Sequence, residues 1–229
     1  IKYISSPSEA LARGIWIAAN NIQAIIQGNI VEGARDHGII STSSSLIVGN
    51  IVEKGLGFGI TVADTSECLI ESNIVKNMGD GIYILRCSKV LVVNNRAYDD
   101  QVPKTQQWGI HLDITGGSIS NIYIFDNFLE GNLYGAIWPA GSDNKFKNNM
   151  GYVTENGGTA TFSGDGTWAS VTIAHGLAST PTTYYVQKAS DIPQNIKYVT
   201  ADATNLTVYF DSAPPRGTNN VVLKWRAEV

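Results

Sequence analysis

Three ionisable side chains fall at matching positions of two neighbouring segments and could carry acid–base chemistry. Tyr83 lies two residues after Gly81 in GIYIL, and His111 lies two residues after Gly109 in GIHLD. Asp113 follows His111 by two residues. Because side chains in a strand alternate between its faces, residues two and four after each glycine share a face. A phenol, an imidazole and a carboxyl on one face are groups that proteins use to move protons.

Two charged residues, Arg86 and Asp64, are expected at the margin of the same face, one step nearer the turn. A lyase or epimerase acting on uronic acids needs a base, an acid and a cation that neutralises the carboxylate. His111, Tyr83 and Arg86 could take these roles in that order.

Two other hypotheses fit the same residues. Asp64 and Asp113 are expected two rungs apart, about 9.6 Å on a strand spacing of about 4.8 Å, which is within the separation of the two carboxyls in an inverting glycosidase. The third hypothesis is a face that binds glycan or serves only as a structural shaft, with His111 and Asp113 as a solvated pair.

Aromatic residues and a long loop accompany this polar patch. Trp108, Trp138 and Tyr83 are suited to stacking on the apolar C–H faces of sugar rings. The stretch from Asn95 to Gly109 is 14 residues long, whereas the corresponding stretches elsewhere are 8 or 9. Because insertions in repeat proteins often frame the binding face, we expect a groove wall here.

A sequence repeat is what would bring these residues together. An apolar run closes on asparagine six times, in steps of 21, 23, 22, 32 and 22 residues, at Asn29, Asn50, Asn73, Asn95, Asn127 and Asn149. A Gly-Ile-like start precedes each of these runs, at Gly14, Gly38, Gly59, Gly81, Gly109 and Gly135. A period near 22 without helical spacing predicts a coil of stacked parallel strands. Asparagine suits the corners, where its amides could also bond one another along the stack.

The repeat GIxI…(L/V)xIxxNxV resembles that of the right-handed parallel β-helix families, which include pectate-lyase-like enzymes, mannuronan epimerases and phage tailspikes. The resemblance covers roughly residues 14–152 and implies an all-β fold, but this fold carries several unrelated activities. The Asp-Pro-His motif of the epimerases is absent, and a stacked acidic calcium cluster of the pectate-lyase kind is not evident. We therefore expect no cofactor, and calcium is not indicated.

Residues 156–229 differ in pattern, with short alternating strands separated by turn signals, and predict a small antiparallel β-sandwich. Segments such as FSGDGTWASVTIAHGLASTPTTYYV resemble small β-modules at the C-termini of phage tail fibres and tailspikes. That resemblance implies a module that drives trimerisation or binds glycan. We accordingly expect a β-helix over residues 1–155 and a sandwich over 156–229, with His175 as a structural turn residue.

The composition of the chain and its first residues bear on which partners and which location we expect. The net charge of −4 argues against nucleic acid, and no apolar run approaches the ~18 residues of a membrane span. Residues 1–13 are too few for a full coil, so either they cap its open end or a natural N-terminal part precedes them, and we expect the latter. We expect a polysaccharide partner, an extracellular or virion-surface location and a homotrimer that covers the outward residues Ile40 and Ile137.

Overall fold

The computed structural model describes residues 2–4, 13–18 and 23–229, and the chain divides into two compact units, residues 1–152 and 153–229. The described residues form twenty-three strands and no helix. Seventeen strands belong to the first unit: β1 (Lys2–Ile4), β2 (Ile15–Ile17), β3 (Ala24–Gln27), β4 (Ile30–Glu32), β5 (His37–Ser41), β6 (Ser45–Val48), β7 (Ile51–Glu53), β8 (Phe58–Ala63), β9 (Ser66–Glu71), β10 (Ile74–Lys76), β11 (Asp80–Leu85), β12 (Ser88–Val93), β13 (Arg96–Tyr98), β14 (Trp108–Asp113), β15 (Ser120–Phe125), β16 (Gly135–Trp138) and β17 (Lys145–Lys147).

These seventeen strands make three parallel sheets, and successive coils of the chain add one strand to each. Sheet 1 has the order β1-β4-β7-β10-β13, sheet 2 the order β2-β5-β8-β11-β14-β16, and sheet 3 the order β3-β6-β9-β12-β15-β17. In the last coil, Phe128 bridges Arg96 and Met150 in place of a sheet 1 strand. The prediction of a parallel β-helix is confirmed.

Stacked columns of identical or similar side chains fill the interior of the coil. Sheet 2 contributes an isoleucine column in which each member pairs with the next and is at most 3 % exposed: Ile39, Ile60, Ile82, Ile110 and Ile137. Sheets 1 and 3 contribute equivalent buried columns of valine, alanine and isoleucine. This stacking removes a continuous apolar stripe from water, which is the main stabilising term of such a coil.

An asparagine ladder lines the corner between sheets 3 and 1, as the repeat predicts. Each asparagine amide donates to the side-chain oxygen of the next, from Asn29 to Asn149, at 2.9–3.1 Å. The residue before each ladder asparagine has a left-handed backbone: Gly28, Gly49, Ser72, Asn94, Asp126 and Asn148. All six are residue types suited to turns, and glycine, asparagine and aspartate tolerate this conformation most readily.

One register prediction is wrong. Counting from glycine places Ile137 in the outward column beside His111, but His111 pairs with Trp138, and Ile137 faces the interior at 3 % exposure. Gly135 pairs with Trp108, one residue earlier than the counting implies. Ile40 does lie in the outward column, yet it is only 8 % exposed. Neither isoleucine needs a second copy of the chain to cover it.

The second unit is a sandwich of two three-stranded antiparallel sheets. Its strands are β18 (Glu155–Gly164), β19 (Ser170–Ala174), β20 (Thr183–Lys188), β21 (Ile196–Ala201), β22 (Asn205–Phe210) and β23 (Gly217–Glu228), in the orders β18-β23-β20 and β19-β22-β21. Side chains of both sheets share one buried core, which includes Ile173, Leu206 and Leu223. The sandwich prediction is confirmed. The part of the chain that the structure describes has no helix with the length and apolar character of a membrane span.

His175 is fully buried at the end of β19, and both of its ring nitrogens are used. Nδ1 lies 3.0 Å from the backbone nitrogen of Leu177, whose N–H donates to it, and Nε2 lies 3.0 Å from the carbonyl oxygen of Asp202. Nε2 therefore carries the ring proton. These contacts suit the structural role that the sequence predicts.

Candidate functional site

The outward side of sheet 2 carries a continuous series of aromatic rings, which we call the aromatic face. Neighbouring ring centroids lie 4.1–6.0 Å apart along this series, which consists of His37, Phe58, Tyr83, His111, Trp138 and Trp108. The rings come from five successive strands, β5, β8, β11, β14 and β16. Parallel pairing in register is what places one ring above another, so the period of the chain creates this surface.

Tyr83, His111 and Asp113 are brought together as the sequence predicts. Tyr83 pairs with His111 and Leu85 with Asp113 across β11 and β14. The Tyr83 hydroxyl donates a hydrogen bond to Asp113 Oδ2, and Asp113 Oδ1 accepts the backbone N–H of Thr115 at 2.7 Å.

The pKa values of this pair move apart. Burial, and then the bond to Asp113, raises the pKa of the Tyr83 phenol well above its ordinary value. Burial acts to raise the pKa of Asp113, but hydrogen bonds from Thr115 and Tyr83 outweigh it and hold that pKa below its ordinary value. At neutral pH the pair is therefore a phenol bonded to a carboxylate.

Asp80, which the sequence analysis does not single out, is a central residue of the face. It is 4 % exposed, and its Oδ2 lies 2.9 Å from Nδ1 of His111. Its Oδ1 accepts the backbone N–H of Trp108 at 3.0 Å. Because a carboxylate only accepts hydrogen bonds, Nδ1 of His111 is the donor to Asp80, so Nε2 is the nitrogen that bears the lone pair in the neutral form of the ring. The carboxylate thus fixes both the tautomer and the orientation of the imidazole.

Arg86 and Asp64 lie together at the corner between sheets 2 and 3 as a bidentate ion pair. Arg86 Nε and Nη2 donate to the two Asp64 oxygens at 2.5 and 2.6 Å, and Nη1 donates to the carbonyl oxygen of Thr115 at 3.1 Å. The guanidinium holds the pKa of the Asp64 carboxyl below its ordinary value. Every nitrogen of this arginine is engaged, so it is not a free cation.

A groove of about 600 Å³ opens beside this ion pair, and we call it the corner groove. Hydroxyl side chains supply most of its lining, which consists of Thr42, Ser43, Ser44, Thr65 and Ser66 together with Asp64 and Arg86. These residues follow β5, β8 and β11, so the groove adjoins the outward side of sheet 2. Its chemistry is that of hydroxyl donors and acceptors rather than of apolar burial.

Trp108 and Trp138 stand at one end of the aromatic face. Their ring centroids are 5.1 Å apart, and Trp138 is 48 % exposed. The Trp108 ring lies over Gly135, where a Cβ atom would come within 2.8 Å of it. A glycine at this position therefore lets the indole lie against the next coil, and both tryptophans stay available as stacking surfaces.

Two loops flank β14 on opposite sides. The loop from residue 99 to residue 107 enters the strand, and Asp99, 2 % exposed, shapes it by accepting backbone N–H groups of Gln101, Thr105 and Gln106 at 2.5–2.8 Å. The loop from residue 114 to residue 119 leaves the strand and packs on Arg86 at Gly117, where a Cβ atom would meet the arginine side chain at 2.7 Å. The face thus has a loop at each edge, and the first of them belongs to the 14-residue stretch between Asn95 and Gly109.

The described residues contain no group of three or more histidine, cysteine, aspartate or glutamate side chains placed to hold a metal ion. The carboxylates of the aromatic face are instead taken up singly, each by its own protein donors. Asp80 binds His111 and the Trp108 backbone, and Asp113 binds Tyr83 and the Thr115 backbone.

Comparison with known proteins gives one family and several solved structures. Residues 8–151 match the family model described as "Right handed beta helix region". No curated protein matches the chain.

Among similar solved structures, the Dettilon tailspike protein gp208 shares 16 % identity at a TM-score of 0.42 and matches 89 % of this chain and 56 % of its own. The tailspike gp61 of Pseudomonas phage phi297 shares 11 % identity at a TM-score of 0.39, and the match covers 97 % of this chain and 56 % of gp61. The gp54 tailspike of Acinetobacter baumannii bacteriophage AP22 was solved in complex with A. baumannii capsular saccharide. It shares 8 % identity at a TM-score of 0.33, and the match covers 98 % of this chain and 59 % of gp54. The chain thus spans less than two thirds of the length of each of these three structures.

Proposed function

The chain belongs to the right-handed β-helix family, and we propose that it recognises a polysaccharide through the aromatic face on the outward side of sheet 2. The proposal includes a tailspike-like role at the virion surface or in another extracellular setting, where such polymers are met. The resemblance of residues 156–229 to modules of phage tail fibres and tailspikes supports that setting.

The single observation that carries this proposal is the continuous series of rings on sheet 2. Sugar rings stack on aromatic side chains because their C–H faces are apolar while their hydroxyls stay free to bond. The rings from β5 to β16 cross four strand spacings, about 19 Å in all. Tyr83 within the series is 8 % exposed, and Trp138 at its end, 48 % exposed, offers the main stacking surface for a sugar. Hydroxyl groups in the corner groove and carboxylates at its edge supply the polar contacts.

Replacing Trp138 with alanine tests this proposal. Loss of an exposed stacking ring is expected to weaken binding of a recognised oligosaccharide by about 2 kcal/mol, roughly 30-fold, measured by titration calorimetry after a glycan array has identified a ligand. Tyr185→Ala, which removes a 62 % exposed ring from the second unit, serves as the control. Loss of binding in Tyr185→Ala with retention in Trp138→Ala would move the site to the C-terminal module.

A second candidate function is cleavage of the bound polysaccharide, and the Asp80–His111 contact favours it. An imidazole held by a carboxylate with a free Nε2 lone pair is the arrangement of a general base. The geometry is less favourable to the other roles. Arg86 is already engaged and so is not free to neutralise a uronate. Asp64 and Asp113 both have lowered pKa values, whereas a general acid needs a raised one.

If the protein cleaves its ligand, His111→Gln removes turnover while binding persists, and Lys76→Gln on sheet 1, away from the aromatic face, leaves turnover intact. Release of reducing ends and the ultraviolet absorbance of unsaturated uronides, measured on a polysaccharide panel, distinguish hydrolysis from elimination. Unchanged turnover in His111→Gln would clear this residue of a catalytic role. Absence of turnover on the whole panel would leave recognition as the function.

A homotrimer is part of the same proposal, and the outward side of sheet 3 is the surface that supports it. A column of apolar side chains runs up this sheet, and Ile25 at its end is 71 % exposed: Ile25, Leu46, Leu69, Leu91 and Tyr123. An apolar stripe of this length is a surface that a second copy can cover. Sedimentation at micromolar concentration should give three copies, and Leu69→Lys should reduce the mass to one; a monomeric wild type rules the trimer out.

A further inference from the structure

We infer that the polysaccharide recognised by the aromatic face and corner groove is uncharged, rich in hydroxyl or N-acetyl groups rather than in uronates. This inference rests on the proposed function and adds the class of ligand. It follows from how the fixed charges around the two surfaces are used.

The cations at these surfaces are neutralised within the protein. Arg13 donates to Asp36 at 2.8 Å while its guanidinium lies 4.4 Å above the Trp16 ring. Arg86 is held on three sides by Asp64 and by the Thr115 carbonyl. An acidic sugar would therefore meet cations whose charge is already balanced by a carboxylate of the protein. Lys104, in the loop that enters β14, donates a hydrogen bond to the carbonyl oxygen of Asp99.

The carboxylates, by contrast, outnumber these cations. Asp80 and Asp113 face the rings, and the side chains that contact them are His111 and Tyr83 rather than lysine or arginine. A ligand carboxylate lying on the rings would approach two like charges in a partly desolvated setting, where repulsion is stronger than in water. A hydroxyl or amide N–H instead finds acceptors. The surface therefore selects against anions by repulsion, and its described residues offer no cation without a partner.

The corner groove supports the same ligand class. Its hydroxyl groups, from Thr42, Ser44, Thr65 and Ser66, can both donate and accept hydrogen bonds. Such groups match sugar hydroxyls and acetamido groups, which have the same dual capacity. A groove that selected uronates would instead carry unpaired arginine or lysine, since charge-assisted and bidentate bonds are the strong contacts to a carboxylate.

Binding of matched oligosaccharides to the full chain tests the inference. Neutral probes such as maltohexaose and chitin hexasaccharide are compared with hexamers of galacturonate and mannuronate by calorimetry. The expected result is that a neutral probe binds at least about tenfold more tightly than either acidic probe. Equal or tighter binding of an acidic probe overturns the inference and leaves the proposed function standing. Failure of a wider glycan array to give any ligand overturns the proposed function, and the inference with it.

Asp64→Asn supplies a gain-of-function arm. Asparagine tolerates the left-handed backbone of this position, where φ is 54°, and the change releases the Arg86 guanidinium. Affinity for the acidic hexamers should rise about fivefold relative to affinity for the neutral probe, the size of one partly exposed charge pair.

Glu67→Asn is the matched control for this arm. Glu67 also has a left-handed backbone, with φ of 61°, and its side chain pairs with Lys89 at 3.1 Å on sheet 3, so the variant frees a cation away from the groove. It should leave acidic binding unchanged. If Asp64→Asn gains no more acidic affinity than Glu67→Asn, neutralisation of Arg86 does not set the selectivity and the inference fails.

Discussion

Replacing Asn95 with alanine is expected to lower the free energy of unfolding of the β-helix unit by about 4 kcal/mol. This side chain is fully buried and contacts five polar atoms at hydrogen-bonding distance. Its two amide hydrogens are shared among three acceptors at 2.9–3.1 Å, the side-chain oxygen of Asn127 and the carbonyl oxygens of Ile70 and Val93. Its oxygen accepts both the backbone N–H and the amide of Asn73, at 3.0 and 2.9 Å.

Alanine would remove the side-chain acceptor of the buried Asn73 backbone N–H and leave the other partners with fewer bonds, and an unsatisfied buried group costs about 1–3 kcal/mol. The summed effect is smaller than five such terms because some carbonyls relax toward other donors. Asn95→Asp keeps the acceptor for Asn73 but turns a buried carboxylate oxygen toward the three acceptors that the amide nitrogen faces. We expect it to destabilise the unit at least as much as Asn95→Ala at neutral pH.

Urea unfolding followed by circular dichroism measures these differences, with the β-helix transition fitted separately from that of the sandwich. Asn148→Gly is the matched control. It lies at the same corner, has a left-handed backbone that glycine adopts freely, and makes one exposed bond to Asp126 at 3.1 Å. Its cost should stay below about 1 kcal/mol. Equal losses in Asn95→Ala and Asn148→Gly would show that the ladder contributes little.

The ladder and the sheets could be predicted from the sequence because a fixed period places equivalent residues one strand spacing apart. The same counting brought Tyr83, His111 and Asp113 together, since β11 and β14 pair without an insertion inside the strands. It failed at the last coil. There the Trp108 ring occupies the space above Gly135, and the register is set by the buried isoleucine column rather than by the glycines. Aligning Ile137 with Ile110 would have placed Trp138 beside His111.

Asp80 was missed for a related reason. Counting from Gly81 treated the residue before it as a turn, whereas β11 begins at Asp80 itself. Its signal in the sequence is weak, because the equivalent residues in neighbouring coils are Phe58 and Trp108 rather than acids. The bond to His111 crosses from one coil to the next and depends on side-chain conformation. Such contacts follow from packing, and the repeat alone does not specify them.

The bidentate engagement of Arg86 was likewise beyond the sequence, although the repeat did place Arg86 and Asp64 near one margin. Both residues follow a strand of sheet 2 directly and both have a left-handed backbone, with φ of 50° and 54°. That shared corner geometry stacks the two side chains on successive coils. The predicted position of Arg86 suggested a cation that could neutralise the carboxylate of a uronate. Because Arg86 is paired with Asp64, the expected ligand is instead an uncharged polysaccharide.

Gly59→Ala is expected to destabilise the β-helix by about 3 kcal/mol or more. Gly59 stacks in a column with Gly38 and Gly81, where the backbone of one coil approaches the next. A Cβ atom here would lie 2.2 Å from Val75 Cγ1 and 2.5 Å from the Gly81 carbonyl oxygen. The second contact is with backbone, which cannot turn aside as a side chain can, so the coils must separate locally.

Gly49→Ala is the control, because its position is open. A Cβ atom there meets nothing within 4 Å, and only the left-handed φ of +63° is unfavourable, at about 1 kcal/mol. Urea unfolding should rank the loss in Gly59→Ala well above that in Gly49→Ala, and soluble yield provides the comparison if Gly59→Ala does not fold. Where it folds, combining it with Val75→Ala should cost less than the sum of the single changes, because one of the two clashes disappears. Full additivity, or a rank order in which Gly49→Ala is the worse, would mean that adjacent coils do not approach each other as closely as the glycine column requires.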